Sequence, residues 1–139
     1  MSEESINIQR LEEAIFVKKA EGTEVNYFLY PEFEVHRNRL SPGVIQGWHA
    51  HQIVEEVLTC TDGTFTVEVI ENGSLISIVV EQGDVVRVKK SIHRLVNQSN
   101  TAAEFIVFRF VPTGKSQQEK IKLDKREYTK EEIAELLNR

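Results

Sequence analysis

The ten residues GWHAHQIVEE, Gly47 to Glu56, carry two histidines, two glutamates and the only tryptophan of the chain. On an extended strand, His49 and His51 at i and i+2 project from one face, and imidazoles at that separation can share a metal ion. Glu56 lies an odd number of residues from His51, so a regular strand sends it to the other face and a bulge or bend is needed to bring it back. Glu55 has the matching parity without one. Spacing alone leaves the carboxylate open between the two, and an isolated His-x-His also arises on solvated strands.

Other residues carry chemistry without a motif. Arg109 interrupts the apolar run FIVFRFV, where a charge is costly unless it is paired or points into a wet cavity. Facing inward it would hold a substrate carboxylate; facing outward it would pair with a surface acid. Arg37 and Arg39 share a strand face and read as surface or dimer residues. Trp48, of opposite parity to the histidines, reads as packing between sheets or subunits. Arg87, Lys89, Lys90 and Arg94 make a basic cluster beside His93, read as a solvated loop. Cys60 reads as a small apolar filler, and His36 has no motif around it and no assigned role.

The elements that must position these groups are strands. From about residue 34 to residue 112, β-branched and aromatic residues outnumber strong helix formers and turns recur at short intervals. TFTVEVI and SLISIVV flank Asn72-Gly73, a pair suited to a type I′ turn, and predict a hairpin. EFIVFRFV predicts a central strand. No helices separate these segments, which points to a sandwich or barrel over a parallel α/β sheet. Residues 1–33 form an N-terminal segment in which IQRLEEAIFVKK is ambiguous between helix and edge strand. Residues 113–139 read as a polar linker followed by a helix from about Lys130, with Thr129 and Glu132 in a capping-box arrangement. The apolar stripe Ile133, Leu136 and Leu137 of that helix is expected to dock on its own domain, with a partner subunit as the other option.

At 139 residues and 16.0 kDa the chain has the size of one domain able to bury a core without disulfides. No apolar run reaches membrane-spanning length. The polar, acidic start MSEESINIQR and the single Cys60 predict a cytoplasmic protein without disulfides. A net charge of -5 disfavours general affinity for nucleic acid or anionic membranes, so neither is an expected partner.

GVIQGWHAHQIVEEVLTCTDG, from Gly43, resembles the first motif of the cupin superfamily: glycine, five residues, His-x-His, three or four residues, Glu, six residues, glycine. Gly43, His49, His51, Glu56 and Gly63 fall in place, and the gap to Gly63 selects Glu56 over Glu55. GDVVRVKKSIHRLVN, Gly83 to Asn97, resembles the second motif through Gly83, His93 and Asn97. It departs from the pattern at Lys89, where proline is usual, at Ser91, where glycine is usual, and by one missing residue before His93. The resemblance implies an all-β protein, a cupin-type double-stranded β-helix (jelly-roll) barrel over residues 34–112 with a short C-terminal α-helix. It also implies that His49, His51, Glu56 and His93 converge on one divalent transition metal.

Three imidazoles and a carboxylate suit iron, manganese, nickel, zinc, cobalt or copper, and leave open positions for water, substrate or dioxygen. The first functional expectation is a metal-dependent oxidoreductase, dioxygenase-like, acting on a small organic molecule in the barrel. The second is a non-catalytic cupin that binds a small molecule or metal. The third is a sugar-nucleotide epimerase or isomerase of the cupin fold, because PGVIQGWH resembles the stretch PGVIRGWH of those enzymes, in which a histidine acts as base. A homodimer is expected, since small barrels often bury an exposed sheet against a second copy.

Overall fold

The computed structural model describes residues 5–138, so the first four residues of the 1–33 segment, with part of the acidic start, and Arg139 lie outside it. The ambiguous N-terminal stretch resolves into both alternatives. A single 3₁₀ turn, Leu11–Glu13, leads into an edge strand β1, Ile15–Lys18. Eight further strands follow: β2 Glu24–Leu29, β3 Phe33–Leu40, β4 Glu55–Asp62, β5 Phe65–Glu71, β6 Ser74–Val80, β7 Val85–Arg87, β8 Ile92–Val96 and β9 Ala103–Phe110.

They make two antiparallel sheets, one in the order β1-β2-β3-β9-β4-β7 and one in the order β6-β5-β8. EFIVFRFV becomes β9, hydrogen-bonded between β3 and β4, with Phe105 and Val107 in the core and Phe108 and Phe110 exposed on the outer face. The β5–β6 hairpin turns on Asn72 and Gly73, at φ 50° and 77°, the positive values that a type I′ turn requires. Residues 43–49 widen the smaller sheet along β8: Gly43 N–H donates to Asn97 O, Asn97 N–H to Val44 O, and Gln46 N–H to Leu95 O.

The core lies between the sheets. Leu40, Leu58, Phe105 and Val107 from the larger sheet meet Phe65, Val67 and Leu95 from the smaller one, and the Phe65 and Phe105 rings lie 4.9 Å apart. Glycine at position 63 is sterically forced, because a Cβ there would stand 2.5 Å from the Ala102 carbonyl oxygen. Asn97 is buried and ties the loop after β8 to the end of β3, donating through Nδ2 to the carbonyls of Leu40 and Thr101.

The C-terminal region holds two helices where the sequence predicts one. α1, Gln118–Leu123, forms inside the expected linker, and α2, Lys130–Leu137, starts at the predicted residue. Glu132 N–H donates to Thr129 Oγ1 while Thr129 N–H donates to Glu132 Oε1, the reciprocal capping box. The α2 stripe is not docked on the barrel as expected: Ile133, Leu136 and Leu137 are exposed. The two sheets close the core without it, and no residue of either helix enters the core cluster. No helix among the described residues is long and apolar enough to cross a membrane.

Candidate metal centre

His49 and His93 form an isolated antiparallel bridge, each backbone N–H donating to the other's carbonyl at 3.0 and 2.9 Å. That exchange places two imidazoles side by side, with ring centroids 4.4 Å apart. His51 follows with its ring 5.6 Å from His49 and 5.8 Å from His93. One ligating atom from each of the three histidines lies within 4.8 Å of the others, so the trio can hold a metal ion.

The ring orientations are set by backbone carbonyls. His49 Nδ1 donates to Gly47 O at 2.8 Å, and His93 Nδ1 donates to Ser91 O at 3.0 Å with Ser91 Oγ also near at 3.2 Å. A carbonyl only accepts, so both rings carry their proton on Nδ1 and keep the Nε2 lone pair, the arrangement that outer hydrogen bonds give to metal-bound histidines. Ser91 stands where the motif usually has glycine. Its hydroxyl donates to Val88 O at 2.6 Å and closes the shortened turn. Lys89, in the place of the usual proline, has φ 52°. A proline cannot adopt that left-handed conformation.

Burial pushes the pKa of His93 and of His51 below the ordinary 6.5. Both rings are therefore neutral at neutral pH, the state in which an imidazole can ligate. His51 Nε2 is buried and accepts or donates no hydrogen bond. It does lie 2.8 Å from Glu56 Oε2, an approach whose direction does not make a bond. A buried nitrogen with an unused lone pair beside a carboxylate is what a cation would satisfy, so the donor set fits a divalent metal.

The bend needed to reach Glu56 is present. Residues 52–54 are irregular and β4 starts only at Glu55, so side-chain alternation restarts there. Glu55 faces outward and takes a bidentate pair from Arg87, at 3.0 and 2.8 Å, which lowers its pKa. Glu56 faces the cavity, next to the trio, and its Oε2 accepts from Arg109 Nη2 at 2.9 Å. Arg109 lies opposite Glu56 in the β4–β9 register, on the inward face.

A cavity of about 280 Å³ joins the three histidines, Glu56 and Arg109 to residues of β2 and β3. One of these, His36, had no sequence signal beyond its inward parity on β3. It is buried, donates from Nε2 to Glu34 Oε1 at 2.8 Å, and meets the Tyr27 ring edge-on at 4.5 Å. Desolvation lowers its pKa from 6.5. Asn38, two residues on, also lines the cavity.

The remaining candidates lie elsewhere. Cys60 is packed in the core, where burial raises its pKa, and it is outside the histidine cluster. Arg37 and Arg39 line the outer side of the larger sheet, where Arg39 pairs with Glu24. Trp48 is half exposed and carries the Arg94 guanidinium 4.5 Å above its ring, so it packs against a cation and not between the sheets. Within the basic cluster, Glu55 and Glu68 take up Arg87 and Arg94.

Comparison with known proteins agrees with this architecture. No curated protein sequence gives a significant match. Among solved structures, a predicted oxalate decarboxylase of Thermotoga maritima superposes with TM-score 0.63 at 21% identity, over 76% of this chain and 100% of its own. The iron(II) enzyme HppE, with its alternative substrate (S)-1-HPP, gives 0.64 at 13% identity, over 78% of this chain and 62% of its own. CENP-C of Drosophila melanogaster, bound to CAL1, gives 0.64 at 17% identity, over 73% and 80%. At these identities the likeness is one of fold. The family model for the cupin domain matches residues 36–109, more than half of the chain, and so takes in the trio, Glu56 and Arg109. The chain belongs to the cupin domain family.

Proposed function

We propose that the protein is a metal-dependent oxidoreductase of dioxygenase-like type that acts on a small organic molecule inside the barrel. The observation that carries this reading is the trio of inward imidazoles, two with Nδ1 held on backbone carbonyls and one with a buried, unbonded Nε2. His49, His51 and His93 would hold one divalent transition metal, with Glu56 as the fourth ligand. Iron, manganese, nickel, zinc, cobalt and copper all suit the donor set. Such an ion supplies Lewis acidity and, if redox-active, electron transfer to dioxygen. Arg109 pairs with the Glu56 carboxylate across the cavity and would offer its remaining guanidinium donors to substrate.

The sugar-nucleotide alternative, in which one histidine acts as base, leaves the gathering of three imidazoles beside Glu56 unexplained. A non-catalytic binding cupin would share this centre, and turnover separates the two. Elemental analysis of untagged protein, followed by oxygen-uptake assays on the metal found, tests the reading. Iron, manganese, nickel or copper with oxygen uptake supports it, a bound metal without turnover favours the binding protein, and absence of any metal overturns the reading and favours the sugar-nucleotide alternative.

A cytosolic setting is part of the reading, since the one thiol, Cys60, is free. So is a homodimer. The outer face of the larger sheet exposes Phe33, Phe108 and Phe110 around the paired Val35, a patch suited to a second copy. Light scattering that returned a 16.0 kDa particle at micromolar protein would reject the dimer.

A further inference from the structure

Three buried side-chain nitrogens lack a hydrogen-bond partner among the described residues: Asn38 Nδ2, His51 Nε2 and Arg109 Nε. All three belong to residues lining the same cavity. Buried polar groups are nearly always satisfied, so unsatisfied groups gathered around one cavity describe the occupant that would complete them. His51 Nε2 offers a lone pair and is answered by the metal. Asn38 Nδ2 and Arg109 Nε differ in kind, because each can only donate and their complement must bring acceptor oxygens.

The two donors stand apart. In the β3–β9 register Asn38 pairs with Phe105 and Arg109 pairs with Glu34, which separates them by four residues, or about 13 Å of strand. The long arginine side chain shortens this span without closing it. His36 lies between them on β3, already committed to Glu34. Arg109 Nη2 is likewise committed to Glu56, so its Nε remains for a ligand.

Charge gives an independent constraint. The charged side chains lining the cavity, Lys19 and Arg109 against Glu21 and Glu56, cancel in number. A bound divalent ion then leaves the cavity with a double positive charge, which a dianion neutralises.

We infer that the cavity binds a short-chain dicarboxylate of about four to six carbons, long enough to bridge two separated donors, with one carboxylate on Arg109 Nε and the other on Asn38 Nδ2. Asn38 is then the residue that selects for the second carboxylate. This rests on the proposed function only for the identity of the binding cavity and for the metal charge, since both donors belong to the chain.

Isothermal titration with glutarate, valerate and oxalate tests it, with metal content measured on every sample. Glutarate spans both donors, valerate has one carboxylate at the same length, and oxalate is too short. Metal-loaded protein is expected to bind glutarate at least about tenfold more tightly than either competitor, the gain of one charge-assisted hydrogen-bonded end. Asn38→Leu, close in shape and without a donor, is expected to lower glutarate affinity to that of valerate while leaving valerate affinity and metal content unchanged. Asn38→Asp, a second variant in case the leucine disturbs folding, is expected to bind glutarate more weakly than valerate through carboxylate repulsion. Equal affinities for the three acids in the unaltered protein, or a glutarate preference that survives both substitutions, would overturn the inference. If the purified protein holds no metal the proposed function fails, and the glutarate-to-valerate ratio of the metal-free protein still decides the role of Asn38.

Discussion

On the cavity wall built by β8 and residues 43–49, His49 and His93 each have Nδ1 spoken for by a backbone carbonyl. On the wall built by β3 and β9, Asn38 Nδ2 and Arg109 Nε are buried without partners. The first wall orients its lone pairs in advance, because metal ligands must be deprotonated and aimed before an ion binds. The second leaves donors to be completed by whatever enters. Glu56 belongs to both, standing 2.8 Å from His51 Nε2 and 2.9 Å from Arg109 Nη2.

The strongest way to break this contrast is to remove a ring from the histidine trio. His51→Ala and His93→Ala are each expected to lose stoichiometric metal, read by elemental analysis, while circular dichroism still reports a β-protein. Retention of full occupancy by folded variants at all four ligand positions would show the assignment to be wrong. Chelation of the unaltered protein is expected to leave it folded, since its apolar core does not depend on the ion. The metal-free form would melt lower, by a stabilisation on the order of 3 kcal/mol when free metal stands a hundredfold above its dissociation constant.

Removing the charge shared by the two walls comes next. Glu56→Gln leaves the Arg109 guanidinium partly buried without its counter-ion. A fully buried broken pair costs roughly 3 to 5 kcal/mol, and solvent reaching a third of Arg109 reduces this to about 2 kcal/mol. Urea denaturation of the metal-free variant measures it, and an unchanged midpoint would show that the pair carries no stability.

Lys89 tests how the finished wall is aimed. Its φ of 52° strains any residue with a Cβ and excludes proline. Restoring the usual motif residue by Lys89→Pro is therefore expected to destabilise the fold by about 2 kcal/mol or more and to weaken metal binding through His93. Lys89→Gly is expected to raise stability by up to about 1 kcal/mol at unchanged metal content. The opposite ranking in thermal melts would mean that the turn takes another conformation.

The smallest effect is that of pH on the metal-free protein. His36, His51 and His93 have folded pKa values below 6.5, each chiefly through desolvation. Between the folded values and 6.5 the unfolded chain binds more protons than the native state, so stability rises with pH there and is lost as pH falls below 6.5. Denaturation midpoints at about pH 7.5 and about pH 5.5 should differ in that direction. Glu55, lowered by Arg87, adds a second loss only below its ordinary 4.5.

The strands of the body, the Asn72-Gly73 hairpin, the internal position of β9 and the Thr129 cap of α2 were legible in the sequence. These depend on local periodicity and on turn or cap chemistry, which a chain carries wherever it folds. The two spaced motifs with their histidines were legible for a related reason, since recurring residue types mark positions that the fold uses again and again. Docking of α2 was misjudged, because an apolar stripe on a helix shows that a surface could be covered without naming what covers it.

Composition and spacing by themselves determined a β-rich domain, a His-x-His pair and two candidate carboxylates. The gap to Gly63 picked Glu56 only through the motif resemblance, and the tertiary structure gives the cause: the irregular residues 52–54 reset the alternation, turning Glu56 inward and Glu55 toward Arg87. Only the tertiary structure turned Arg109 into the cavity and brought His36 and Asn38 beside it. The reason is physical. Parity fixes which side of its own strand a residue occupies, but which groups then meet across a cavity depends on strand order and register between segments as distant as β3, β4 and β9, and long-range pairing leaves no local trace in any one of them.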